Sequence, residues 1–204
     1  MGMISSAQQL CKLPVALASA SPRRIELLQQ INIAPCTVLA TDIDETPLKQ
    51  ELPRVYVERL AHAKLEAAKT QLKESVPFIL AADTVAAAGS RILNKTTDRH
   101  VAEKHLRLLS GRRHRVHTSV VLSETKTGRV STRSVYTVVQ FSRLTEKQLQ
   151  TYLDSNEWQS KAGSYAAQGI AASFIKAING SHSNVVGLPL FETAQLFRGY
   201  GLIP

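Results

Sequence analysis

The chain has 204 residues, 44% of them hydrophobic and 20% charged, which is ample for one domain with a substantial core. No apolar run approaches the length of a membrane span, and two cysteines, Cys11 and Cys36, make neither a disulfide framework nor a zinc pair. The net charge of +9 favours anionic partners, such as nucleic acid, a membrane surface or a phosphorylated small molecule. The 5% aromatic content is thin for stacking single-stranded bases.

At the start, "MGMISS" fits a myristoylation pattern through Gly2 and Ser6, and "ALASA" mimics a signal-peptidase site without an apolar run ahead of it. Free thiols and the missing leader favour a cytoplasmic protein. Residues 1–13 read as an N-terminal extension and 14–204 as a single domain.

Residues 14–20 are an apolar strand, and a helix follows from Pro22 to Ile31. "TVLATDIDET" is a strand running into an acidic loop. A long helix begins at Pro53. Within "VPFILAADTVAAAGSRIL" a buried strand breaks at Asp83 and a hairpin turns at Gly89-Ser90. "TTDRHVAEKHLRLLSG" is a helix with Thr97 as its N-cap and Gly111 as its stop. "RVHTSVVLSE", "STRSVYTVVQFS" and "IAASFIKAI" read as strands, and Thr145 with Gln148 makes a capping box for the helix between the last two. "NVVGLPLFETAQLFRGY" reads as a strand-like piece, a turn and a helix. The alternation predicts a mixed α/β sheet. No Pro/Gly/Ser-rich linker divides it, and a boundary between two lobes is expected near residues 89–96 or 110–113.

Several of these positions carry chemistry. Ser21 can cap the first helix and Pro22 suits its first position, but Arg23 and Arg24 sit where the helix macrodipole is already positive. Either they face solvent, or a polyanion such as a phosphate chain satisfies both the guanidiniums and the free N–H groups. On the long helix, Val57, Leu60, Ala61, Lys64, Leu65 and Ala68 share one apolar stripe. Lys64 must snorkel out, pair with an acid or reach into a cleft, and snorkelling is the commoner outcome.

Asp83 sits at the end of an apolar run, where a carboxylate can hold a divalent metal or orient water, unless it is an ordinary turn residue. Asp42, Asp44 and Glu45 could assist it, or form a solvated loop. Lys95 lies in a loop, and Gln168 in "KAGSYAAQG" can meet an amide-like base edge where small residues allow close approach. Arg113, Arg115 and His117 alternate onto one strand face, most simply a solvated basic face.

In this order, "LASASPRR", "YVERLAHAK", "AADTV", "RILNKTTDRHVAEKHLRLLSGRRHRVHTSVVL", "KAGSYAAQG" and "INGSHSNVVGLPL" resemble the Maf family of nucleoside triphosphate pyrophosphatases, from about Pro14 to Leu196. The resemblance implies an α/β fold, a mixed sheet with flanking helices and two lobes around a central cleft, similar to the inosine triphosphate pyrophosphatases. It implies hydrolysis of a nucleoside triphosphate to monophosphate and pyrophosphate with a divalent metal, Mg or Mn, in housekeeping of noncanonical nucleotides and in septum formation.

Carried over, Ser19, Ser21 and Arg24 belong to the phosphate-binding motif, Lys64 and Lys95 hold phosphate oxygens, Asp83 is the general base, and Glu45 with Asp83 faces the metal. Arg23, Thr84 and Gln168 are the substrate-selecting positions and resemble the dTTP/UTP branch. The alternatives are the 7-methyl-GTP branch, a broader noncanonical range, or a non-enzymatic nucleic-acid-binding regulator. For the enzyme the resemblance implies neither nucleic acid nor membrane as a partner, and homodimers are common among relatives. Asn94-Lys95-Thr96 departs from the family's usual Gly-Lys-Pro.

Overall fold

A computed structural model describes residues 11–204, so Gly2, Ser6 and most of the expected N-terminal extension lie outside the described residues. Seven strands form one mixed sheet: β1 (Cys11–Ala18), β2 (Ile33–Leu39), β3 (Phe78–Ala88), β4 (Arg91–Leu93), β5 (Arg113–Glu124), β6 (Val130–Phe141) and β7 (Ile175–Asn179). The order is β2-β1-β3-β5-β6-β7, with β4 paired to β3. β1 runs parallel to β2 and β3, while β5, β6 and β7 continue antiparallel. The helices are α1 (Pro22–Gln30), α2 (Pro53–Leu72), α3 (Arg99–Leu109), α4 (Glu146–Asp154), α5 (His182–Val186) and α6 (Leu190–Gly199). No described helix is long and apolar enough to cross a membrane.

The α2 stripe packs as its spacing requires. Val57, Leu60, Ala61, Leu65 and Ala68 are all buried. Ala61, Leu65 and Ala68 meet Ala16, Ala18, Ile79, Ala81 and Val121 on one face of the sheet. Leu27 and Leu28 of α1 and Leu196 and Phe197 of α6 cover the other face against Leu80, Ala82, Val120 and Leu122. A separate core gathers Leu106 and Leu109 of α3, Leu149, Tyr152 and Leu153 of α4, Trp158 and Phe141. The two lobes therefore share the long strands. β3 and β5 contribute to both cores, so the division crosses strands and does not fall at the loops 89–96 or 110–113.

The key feature of the sheet is a gap. β1 pairs with β3 only as far as Ala18↔Ala81, and β4 begins at Ala86↔Leu93. Between them the edge of β3 has no strand beside it. Asp83 and Thr84 lie in this gap and point to opposite faces, as neighbours on a strand must. Asp83 is therefore no strand break, as the sequence suggested. β3 continues through it, because β5 pairs along the other edge from Phe78 to Ala87.

Other corrections are local. Asp98, not Thr97, caps α3, accepting from the N–H groups of His100 and Val101, since a carboxylate is the better acceptor at a helix N-terminus. Residues 170–174 form a tight 3₁₀ turn before β7, so "IAASFIKAI" is a strand only in its second half. "HSNVV" is the short helix α5 and not a strand-like piece, with Ser181 accepting from the Asn184 N–H as its cap. Ser21 holds the N-cap position of α1, but its side chain makes no capping bond. Thr145 and Gln148 form the expected capping box.

Alternation on β5 holds: Arg113 and Arg115 are exposed, and His114 between them is buried. His114 stacks edge-on against Phe141 and Tyr165, and its Nε2 lies 2.8 Å from the Tyr165 hydroxyl. Burial pushes its pKa from 6.5 down to about 4. The unfolded chain takes up this proton near pH 6.5 and the folded chain only near 4. Stability from the neutral ring is therefore complete above 6.5 and is lost as the pH falls toward 4, a loss on the order of 3 kcal/mol. Urea midpoints at pH 7.5 and 4.5 should show a smaller drop for His114→Gln than for the wild type; equal drops would assign the acid sensitivity elsewhere.

Candidate active site

The gap in the sheet opens into a cleft with two compartments. The larger, a cavity of about 340 Å³, is walled by Glu45, Tyr56, Asp83, Asn94 and Lys95. The narrower, about 50 Å³, is lined by Ser21, Arg23, Arg24, Tyr165, Gln168 and Gly187, among others. Thr84, Lys95 and Ala162 border both. A triphosphate lying across β3 would have carboxylates and lysines on one side and guanidiniums with an amide on the other.

In the larger compartment, Lys64 does not snorkel. It is 5% exposed, and its Nζ lies 2.5 Å from Asp83 Oδ1 and 2.7 Å from Glu45 Oε1. The stripe position aims it at the sheet, where Asp83, 2% exposed, points down from β3. Burying both charges is favourable only because they are paired and hydrogen-bonded. Lys95 Nζ lies 3.0 Å from Glu45 Oε2, so the four groups form one chain, Asp83–Lys64–Glu45–Lys95. Burial would raise the Glu45 pKa, but Lys64 and Lys95 together hold it below the ordinary range.

The acidic loop divides its labour. Asp44 accepts from the Thr46 N–H and shapes the turn, while Glu45 alone reaches the lysines. The loop is fastened by Tyr56, whose hydroxyl donates to the Glu45 carbonyl at 2.7 Å and lies 3.3 Å from Asn94 Oδ1. Sequence spacing gave no sign of Tyr56, because its partners come from distant loops. The Asn94-Lys95-Thr96 loop keeps its place without the usual Gly and Pro. Thr96 accepts from the Ser160 N–H through its carbonyl and from the Asp98 N–H through Oγ1.

On the other side of β3, Arg24 is buried. Its guanidinium donates to the Gly187 carbonyl (2.8 Å), Ser19 Oγ (2.8 Å) and Thr84 Oγ1 (3.2 Å). All three acceptors are neutral, so they orient the group without cancelling its charge. Desolvation lowers its pKa, Asp83 and Glu45 oppose that shift, and Arg23 adds to it. Ser19 also accepts from the Ser21 N–H, tying the turn before α1 to the arginine. Thr84 touches Arg24, Thr118 and the Gly187 carbonyl, so it is a junction of the site. Arg23, half-buried, lines the narrower compartment, and burial lowers its pKa against the opposing pull of Glu26.

Gly163 presses the "KAG" loop onto β3. Its φ is +66°, and a Cβ there would lie 2.7 Å from the Ala86 methyl, so only glycine fits. Lys161 just before it lines the narrower compartment, a cation that the sequence reading did not single out. Of the expected positions, Ser21, Arg23, Arg24, Thr84, Lys95 and Gln168 share the narrower compartment. Glu45, Asp83, Thr84 and Lys95 share the larger, with Lys64 reaching two of its walls and Ser19 bonded to Arg24.

The donor set fits a hard divalent cation. No group of three His, Cys, Asp or Glu side chains is arranged for a metal among the described residues. Mg²⁺ typically takes one or two protein carboxylates and fills its remaining positions with phosphate and water. Glu45 and Asp83, joined through one ammonium beside an open cavity, supply that number.

Comparisons with known proteins place the whole chain in one family. The profile of the family described as Maf-like protein matches residues 14–200. A protein of Granulibacter bethesdensis named dTTP/UTP pyrophosphatase is 52% identical over 200 residues, covering 92% of this chain and 93% of its own length. Proteins of the same name from Paramagnetospirillum magneticum and Rhodospirillum rubrum are 50% and 49% identical. They cover 93% and 94% of this chain, and 98% and 90% of their own lengths.

Proposed function

Because the chain belongs to the Maf-like family, we propose that it hydrolyses nucleoside triphosphates, dTTP and UTP before others, to the monophosphate and pyrophosphate. The observation that carries this reading is the two-sided cleft at the β3 gap. A carboxylate–lysine chain lies on one face and an oriented, uncompensated arginine on the other.

Arg24, Arg23 and Lys95 supply positive charge along the phosphates, and phosphoryl transfer depends mainly on such positioning and charge stabilisation. Lys64 pairs with Asp83 beside the cavity and fixes the direction of its carboxylate. Asp83 orients a water and takes its proton as the water oxygen bonds to the α-phosphorus. The bond from that phosphorus to the bridging oxygen breaks, and pyrophosphate leaves with the electron pair. Glu45 and Asp83 would hold a divalent metal, which when bound neutralises phosphate oxygens and lowers the pKa of water.

The base side is small. The narrower compartment, closed by Val116, Tyr165, Val185 and Val186, suits a pyrimidine better than a methylated purine, and Gln168 offers both a donor and an acceptor.

The test is pyrophosphate release from dTTP, UTP and 7-methyl-GTP with Mg²⁺, Mn²⁺ or EDTA. Metal-dependent release with dTTP and UTP ahead is expected. Release from 7-methyl-GTP alone would keep the mechanism and overturn the base preference. No release with any metal, together with salt-steep nucleic-acid binding, would favour a regulator instead.

A further inference from the structure

Gln168 sits on a turn, residues 166–170, whose backbone is gripped at both ends by side chains from outside the cleft. Tyr152 of α4 accepts from the Ala166 N–H through its hydroxyl, at 3.2 Å. Glu157 Oε2 accepts from the Ile170 N–H at 2.9 Å. The turn itself closes with the Gly169 N–H donating to the Ala166 carbonyl at 3.1 Å. Gln168 projects from the middle of this loop, exposed and lining the narrower compartment. Its direction therefore depends on where the backbone is held.

The grip at Glu157 is tight. Its carboxylate lies flat against Gly169, where a Cβ would come within 2.3 Å of Oε2 and 2.4 Å of Cδ and Oε1. A side chain at 169 would displace the Glu157 carboxylate from its place, while the backbone itself, with φ an ordinary −113°, sets no demand for glycine. The backbone that carries Glu157 is in turn fixed by its neighbours. Its N–H donates to Ser155 Oγ, and Trp158, 1% exposed, donates to the Leu153 carbonyl at 2.8 Å. The orientation of Gln168 is thereby tied to the α4 lobe core.

We propose that Glu157, with Tyr152, is a positioning residue for base selection. It touches no substrate, and it sets the angle at which Gln168 meets the pyrimidine. This rests on the reading of Gln168 as the amide that meets the base. Glu157 is a carboxylate outside both compartments, yet its removal alters the substrate preference of the site. Gly169 and Glu157 form one unit, since a side chain at 169 and the carboxylate would compete for the same space.

The experiment measures kcat and KM for dTTP and 7-methyl-GTP in wild type, Gln168→Glu, Glu157→Ala, Glu157→Gln, Gly169→Ala and the Glu157→Ala/Gly169→Ala pair. Glu157→Ala should raise KM for dTTP about tenfold, the usual size of losing one charge-assisted hydrogen bond. kcat should stay within about twofold and 7-methyl-GTP hydrolysis should hardly change. Glu157→Gln keeps an acceptor of the same length and should restore most of the preference. Gly169→Ala should reproduce the loss alone and add little to Glu157→Ala, because the methyl then has room; that non-additivity marks the direct contact.

If Gln168→Glu leaves the dTTP preference intact, the base-reading role of Gln168 falls and the clamp's function with it. If Gln168→Glu shifts the preference and Glu157→Ala does not, the clamp alone is overturned. A uniform fall in kcat for both substrates in Glu157→Ala, unrescued by Glu157→Gln, would likewise overturn it and reduce Glu157 to general packing.

Discussion

Asp83→Asn is expected to lower kcat by roughly 10²–10⁴-fold while the protein stays folded, because on the proposed mechanism the variant loses the general base and keeps the shape. The amide retains an oxygen for the Lys64 hydrogen bond now made to Asp83 Oδ1. Lys64 also keeps Glu45 at 2.7 Å, so the buried ammonium is not left without a counter-charge. KM should change little, since Arg24, Arg23 and Lys95, the proposed phosphate-binding cations, keep their own side chains. Pyrophosphate release under saturating dTTP, with a thermal melt on the same sample, checks both halves. Wild-type turnover in a folded variant would remove Asp83 from the role of base.

Lys64→Met should cost both activity and stability. The methionine chain is apolar and of similar length, so it fills the buried slot of Lys64, but two carboxylates lose the cation between them. Removing one partner from a buried ion pair typically costs about 3–5 kcal/mol. In a chain of this size that is a fall of roughly 6–20 °C in Tm.

The loss should depend on pH, as that of a simple packing defect would not. In the wild type the Glu45 pKa is depressed, so the stability from its ion pair is present above the ordinary value of 4.5. It is lost as the pH falls through the lower folded value. Without Lys64 that contribution shrinks, and protonation relieves the carboxylate repulsion. The gap in Tm between variant and wild type should therefore narrow on acidification. A gap that is constant from pH 8 to pH 4 would show that Lys64 acts through volume and not through charge.

Why these residues were partly legible beforehand is a matter of range. The α2 stripe is a local signal: 3.6-residue spacing placed Lys64 on the buried face without any knowledge of the fold. The α4 capping box was equally local, with donor and acceptor three residues apart. Errors appeared where two local signals competed. Thr97 and Asp98 are both good caps, and the choice depended on which one reached the helix N–H groups. The "NVV" that opens "NVVGLPLFETAQLFRGY" looked strand-like because of its valines, yet Asn184 is buried and donates to the Val116 carbonyl and Thr137 Oγ1. These tertiary bonds suit a helical turn.

The sequence by itself determined the order of elements, the buried stripe of α2, and a set of motifs similar enough to a known family to name the residues of the site. Only the tertiary structure decided what those residues do to one another. Asp83 looked like a strand end and is a buried mid-strand residue placed at the gap between β1 and β4. Arg24 looked like a helix-end cation and is held from three segments, at Ser19, Thr84 and Gly187. Glu157 carried no motif signal at all. The physical reason is that periodicity and capping act within one turn or one strand pair. Charge pairing, by contrast, joins Lys64 to Asp83 19 residues away and Lys95 to Glu45 50 residues away, and Arg24 hydrogen-bonds to Gly187 across 163 residues. Such distances in sequence become contacts only when the sheet brings the strands together.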